Sequence, residues 1–442
     1  MNKKLMALAV AAAVTAPGLA VAQTSNTPTA IVPSPGLATS NGITLYGRLD
    51  ETIMMDRYSA NGANTISSLN KQDLFTAGNA MGFRGREDLG GGMTAWFQLE
   101  IGVWPDGRTE AGATIGNNWG GRNSGVGLSG AFGDVLAGVW DTPYKVVDGV
   151  WNSVTSGGFS AAGVIMNVGD STGALLNPSC TNTVSNASGS VTTTAGGVCV
   201  TEATSNGTAF SRRINNSIQY WSPIMAGFQV KLMTALANYQ APDSASTNGV
   251  TKPKEYSASA TYVRGPLSVG FGYDQHQGLR PAGTNFNAKD TGMQLGAKFN
   301  FGPGEVGAAY EQIKYGDNGA SGMKVPAWVV NGRFNVGPGA VWASYANSQG
   351  GKDCTAAANT IGAAACGAKA KEYSLGYDYV LSKRTKLYVA YNKIDNSMNG
   401  AGTGTSYYYI AGPATNSGNG TAGALAQGVD VTTYGLGVQH VF

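Results

Sequence analysis

The sequence predicts an all-β fold, an antiparallel sheet of sixteen strands, and three observations carry that expectation. Only 12% of the 442 residues are Asp, Glu, Lys or Arg, about half the ~25% usual in soluble domains. Glycine occupies 65 positions, about twice its average frequency, and each glycine inside a helix costs roughly 1 kcal/mol relative to alanine. Beyond the first segment, no apolar run reaches the roughly 18 residues that a membrane-spanning helix needs.

Residues 1–22 read as a cleaved secretory signal: Lys3 and Lys4, an apolar stretch from Leu5 to Val14, a Pro17-Gly18 break and the small-residue site Ala20-Val21-Ala22. Its removal takes the formal charge from +3 to +1. With Lys and Arg dispersed along the rest of the chain, nothing points to nucleic acid as a partner. Residues 23–42, with Pro28, Pro33 and Pro35, form a Pro/Ser/Thr-rich extension expected to be a disordered periplasmic leader.

Strands are expected at 43–53, 79–87, 92–102, 122–130, 134–140, 213–221, 227–238 and 255–264, then at 267–275, 291–301, 305–314, 326–336, 340–347, 371–381, 385–394 and 431–442. Their period is two. Tyr434, Leu436, Val438, His440 and Phe442 oppose Thr433, Gly435, Gly437 and Gln439, and Tyr373, Leu375, Tyr377, Tyr379 and Leu381 oppose Ser374, Gly376 and Asp378. Phe228, Val230 and Leu232 oppose Gln229 and Lys231 in the same way.

Short joints, such as Gly265-Pro266, Gly302-Pro303-Gly304 and Gly337-Pro338-Gly339, carry turn residues. They alternate strictly with long connections, at 54–78, 103–121, 141–212, 239–254, 276–290, 315–325, 348–370 and 395–430. All long loops therefore lie at one end of the sheet. An even number of antiparallel strands with turns at one end and loops at the other is the pattern of a transmembrane β-barrel. Lipid offers no partner to a free edge, so the last strand must pair with the first, and sixteen strands enclose an aqueous lumen. Tyr46, Trp221, Tyr262, Tyr310 and Tyr391 suit interfacial girdles.

The exported compartment favours disulfides over metal ligation for Cys180, Cys199, Cys354 and Cys366. Four cysteines allow three pairings, and proximity alone favours 180 with 199 and 354 with 366. Only His276 and His440 could join them at a metal, and there is no CxxC, so no metal or other cofactor is expected.

The chain resembles the general porins of the Gram-negative outer membrane, most closely those of β-proteobacteria. The resemblance rests on Ile43-Thr44-Leu45-Tyr46-Gly47-Arg48, on Gly82 to Gly92 followed by Trp96-Phe97-Gln98-Leu99-Glu100, and on Arg122-Asn123. It continues through Asp141-Thr142-Pro143, Arg213 to Tyr220 and the terminal Phe442. It implies a homotrimer in outer-membrane lipid and lipopolysaccharide, a third long loop folded into each lumen, and passage of small hydrophilic solutes and ions. Phe442 resembles the signal read by the barrel-assembly machinery. The resemblance further implies a basic wall of Arg48, Arg84, Arg122 and Arg213 facing the acidic Asp141 and Asp148. Parity agrees for Arg48, which alternates with Leu45 and Leu49, and for Arg84, Glu100 and Arg213, the last set against Ile214, Ile218 and Tyr220. Ala80 stands where relatives often carry another arginine, and the loop 141–212 is long enough to hold an insertion around Cys180 and Cys199.

Enzymatic readings have little support. A Ser-His-Asp arrangement would need His276 or His440, and no GxxxxGK[ST] loop is present. A substrate-selective porin, and in another class a surface adhesin or secreted β-protein, remain the alternatives.

Overall fold

Alternation of apolar with small or polar residues gives every strand two unlike faces, and the fold turns the apolar one outward. In the computed structural model this produces a closed barrel of sixteen antiparallel strands. The structure describes residues 42–59, 69–76, 78–105, 120–156, 158–163, 165–166, 192–194, 197–199, 210–235, 254–277, 289–314, 316, 324–350, 352, 369–396, 405–406, 425–426 and 430–442.

The first strands are β1 (Gly42–Tyr58), β2 in two segments (Leu69–Thr76 and Ala80–Gly90), β3 (Met93–Gly102), β4 (Ser124–Gly130) and β5 (Gly133–Asp141). The helical turns α1 (Pro143–Val146) and α2 (Asp148–Trp151) follow. Then come β6 (Arg213–Trp221), β7 (Phe228–Ala235), β8 (Lys254–Arg264), β9 (Leu267–Gln277) and β10 (Lys289–Asn300). The circuit is completed by β11 (Gly304–Lys314), β12 (Lys324–Val336), β13 (Gly339–Ser348), β14 (Ala370–Val380), β15 (Thr385–Asn396) and β16 (Val431–Val441). Each pairs with its sequence neighbours, and β16 closes on β1 in a register running from Arg48↔Val441 to Tyr58↔Val431. Beyond the last strand, Phe442 and Gly47 exchange two backbone hydrogen bonds of 3.0 Å.

All sixteen expected strands are present. The connection expected at 54–78 is shorter than the sequence suggests, because β1 runs on to Tyr58 and pairs with Leu69–Thr76. The leader, the extension 23–41 and most of the insertion lie outside the described residues, as do the side chains of all four cysteines; Cys199 belongs to a small backbone hairpin with Thr192–Thr194.

Burial is inverted relative to a soluble protein. Ile43, Leu45, Val126, Leu232, Leu295, Phe334, Leu375 and Leu436 are exposed on the outside, whereas Asp50, Gln98, Lys231, Ser257, Asp274, Gln294, Glu372 and Asp378 are buried within. Tyr262, Tyr310 and Tyr391 keep outward parity. Tyr46 and Trp221 do not serve as girdle residues: the Tyr46 hydroxyl bonds Glu100 on the inner face, and Trp221 is buried with Trp140 and Trp96.

Glycine has a positional logic here. Tyr46, Phe97, Trp96, Trp342 and Tyr388 stand directly across from Gly82, Gly85, Gly127, Gly376 and Gly437. A methyl group at any of these glycines would run into the facing ring, so the missing side chain lets the aromatic lie flat along the sheet, the pairing known as aromatic rescue.

Candidate functional site: the barrel interior

The third long connection folds inward. Thr142 caps α1, accepting from the Lys145 backbone N–H at 3.2 Å, and Pro143 occupies the first turn, where its missing N–H costs nothing. From there the chain lies against the inner wall of β8 to β16. The Tyr144 hydroxyl donates to Glu311 at 2.7 Å, and burial beside that carboxylate pushes the phenol well above its ordinary range, so it stays a donor. The Trp151 indole donates to Gln294 at 3.2 Å, and Asn331 accepts from the Ser153 N–H at 2.9 Å. Gly270, Gly296, Gly307 and Gly435 provide the seats, since a Cβ there would meet Val150, Trp151 or Phe159. Val147, Val150, Trp151, Val154, Phe159 and Ile165 thus build an apolar core between loop and wall.

The other side of the interior, formed by β1 to β6, carries the arginines. Arg48 donates to the Gly78 carbonyl at 2.9 Å. Glu100 accepts from the Tyr46 hydroxyl at 3.0 Å and from Arg122 Nε at 2.7 Å. The Arg84 guanidinium lies 5.0 Å from the Tyr46 ring centroid, and no carboxylate among the described residues is within salt-bridge distance of it. Arg213 pairs with Asp141 at 3.0 Å, while Asn123 accepts from Arg213 Nε at 2.7 Å and donates to Asp141 at 2.8 Å. Lys145 lies 3.3 Å from Asp141.

Six of the seven expected pore residues therefore group on this side. The seventh, Asp148, opens α2 and accepts from the Ser211 hydroxyl at 2.7 Å on the return limb of the loop. Asp141 belongs to the end of β5, on the wall itself, where it is paired with an arginine instead of facing one across open space. The parity argument for Arg213 also needs correction. Asn216 has φ 52°, and this bulge places Ile214 out of phase, buried at 2% exposure, with Ile218, exposed at 42%.

Two further charged groups lie outside the expected pore residues. Asp378, on the inward face of β14, meets Arg333, Lys386, Trp342 and Ser156. Inward parity opposite Tyr377 and Tyr379 was its signal. In the other group, Glu255, Asp274 and His276 are buried with ligand atoms within 4.8 Å of one another. The Arg212 guanidinium already lies against Glu255, and the Phe210 ring stacks on His276 at 4.3 Å between centroids. Arg212 supplies the positive charge there, so the group reads as an ion network tying the loop's return limb to β8 and β9. His440, at the turn end of β16, shares a 2.9 Å hydrogen bond with Thr385.

A sheet closed on itself, apolar outside and charged within, with one loop folded into the lumen, is the architecture of a diffusion channel. Residues 7–400 match the family model described as Gram-negative porin. The chain belongs to the Gram-negative porin family. This porin is therefore a protein of the bacterial outer membrane that forms a channel for passive diffusion. It is 27% identical to outer membrane porin protein 32 of Delftia acidovorans over 392 residues, 88% of each chain. It is 34% identical to the major outer membrane protein P.IB of Neisseria gonorrhoeae over 125 residues, 28% of this porin and 34% of that protein, so it spans about a third of that relative's length. Among solved structures, an anion-selective porin from Comamonas acidovorans superposes with a TM-score of 0.62 at 24% identity, covering 91% of this porin and all of that chain. That likeness concerns the fold.

Proposed function

We propose that this porin admits small hydrophilic solutes and ions with weak charge preference, through a constriction made by Arg48, Arg84, Arg122, Arg213, Glu100, Asp141 and Asp148. The observation that carries the proposal is the pairing on the arginine side. Arg122 is neutralised by Glu100 and Arg213 by Asp141, whereas Arg84 lies against the Tyr46 ring with no carboxylate among the described residues at salt-bridge distance, so its field reaches into the lumen. The structural neighbour from Comamonas is anion-selective; in this chain the paired arginines favour a milder preference of the same sign. The interior then acts as a polar slit that orients dipolar solutes and penalises apolar ones.

The working unit in this reading is a homotrimer. An apolar groove on the outside of the first strands, lined by Ile43, Phe97, Val126, Leu128, Val135 and Ile218, offers a contact for a second copy. In the same reading Phe442, at the rim beside Gly47, serves as the signal for the barrel-assembly machinery. Lipopolysaccharide would surround the long-loop end. No catalytic role is assigned to either histidine. Planar-bilayer recordings of the purified protein test the proposal: triplet conductance steps and a reversal potential displaced slightly towards anions are expected. Absence of defined steps overturns it, and saturable flux of a single solute would replace it with a selective porin.

A further inference from the structure

The inner loop runs along the wall and arrives, at Thr155 and Ser156, on one buried carboxylate. Asp378 Oδ2 accepts from Arg333 Nη1 at 2.7 Å and Lys386 Nζ at 3.3 Å, and its Oδ1 accepts from Trp342 Nε1 at 3.0 Å and the Ser156 hydroxyl at 2.7 Å. Lys386 reaches the loop as well, donating to Ser156 Oγ at 2.8 Å and Thr155 Oγ1 at 3.3 Å. Four strands, β12 to β15, and the loop thus meet at a single acceptor that is wholly buried. Just beyond, Phe159 packs against Trp342, ring centroids 6.5 Å apart, over the seat left by Gly435.

We propose that Asp378 is a positioning residue that sets the calibre of the channel by holding Thr155, Ser156 and Phe159 of the loop against the wall. The inference rests on the reading of the barrel as a diffusion channel. Charge explains why the position needs a carboxylate. Arg333 and Lys386 converge on the same oxygen, and without it two like charges stand together with no counter-charge in contact, which disfavours their present placement. Ser156 loses its acceptor in the same step. The earlier anchors, Tyr144 to Glu311 and Trp151 to Gln294, hold the start of the loop and leave this later part to Asp378.

The test uses the full-length protein in planar bilayers and in liposomes swollen by neutral oligosaccharides of increasing size. Asp378→Ala should raise the mean single-channel conductance, on the order of 1.5-fold, because conductance follows the open section of the narrowest region. It should also add flicker and admit a larger sugar. Asp378→Asn, which keeps an acceptor for Ser156, should fall between it and the wild type. A loop-side variant, Thr155→Val with Ser156→Ala, leaves the wall's ion group whole and should reproduce the effect even if Asp378→Ala does not fold. Retained heat-modifiable migration on gels certifies folding. Steps of wild-type size or smaller, with an unchanged sugar limit, in the folded variants overturn the proposal. Wild-type protein without defined steps overturns the channel reading instead.

Discussion

Two arginines on the same side of the lumen differ in what their loss would do. Arg84 faces the Tyr46 ring, whereas Arg213 is held by Asp141 and Asn123, with its side chain 14% exposed. Arg84→Gln is expected to move the reversal potential towards cations while changing stability by no more than about 0.5 kcal/mol, the usual range away from buried networks. Arg213→Gln should cost about 2 kcal/mol in urea titrations, since it strips a charge-assisted partner from Asp141. An equal stability loss in the two would show that both are structural. Alternation made Arg48, Arg84 and Glu100 legible as inward residues, because a lipid-facing position excludes charge. It could not reveal pairing: Ser156 and Asp378 are 222 residues apart, and which cations are neutralised depends on such distant meetings. For Arg213 the inward placement holds, but its parity with Ile218 and Tyr220 does not carry it, since the bulge at Asn216 resets the period.

Among the short turns, Gly265, Gly302 and Gly337 adopt φ of +59°, +94° and +57°, each directly before a proline. Gly265-Pro266 joins β8 to β9 as a two-residue hairpin, with Arg264 opposite Leu267. A positive φ at the first central position is what a type II′ hairpin requires, and glycine alone supplies it without strain. Gly265→Val should therefore lower unfolding stability by about 1–2 kcal/mol and leave conductance unchanged. A variant as stable as the wild type would mean that the turn accommodates another geometry. These turns made the strand count readable before any coordinates, because turn residues and a two-residue period signal together. The upper part of the first hairpin was not readable. In Leu69–Thr76, Asn70, Lys71, Gln72 and Asp73 are consecutive polar residues, and a strand that rises above the lipid has no apolar medium to impose a period on its faces. The inner glycines were also more specific than composition suggests, as seats for Val150, Trp151 and Phe159 or as partners of facing rings.

At the scale of the whole barrel, the lipid-facing band and the lumen obey different rules for the same substitution. Leu295, 54% exposed on β10, lies midway along its strand, so Leu295→Arg should cost roughly 2–4 kcal/mol when refolding into vesicles is measured. Ser268→Arg, at a partly exposed position with the inward parity of Gly270 and Asp274 on β9, should alter ion preference more than stability. Similar refolding penalties for the two would contradict the assigned faces. The seam between β1 and β16 has a topological consequence. Every other strand pair joins neighbours in the chain, and Phe442 ends beside Gly47 on the rim that carries the short turns. As a circuit of pairings, the barrel has no beginning. Joining the two ends through a short linker and reopening the chain at Gly337-Pro338 should give a circular permutant that refolds in vitro to a channel of the same conductance. In living cells that permutant would no longer end in Phe442, so its fate there would test whether delivery depends on that residue as well as on the fold.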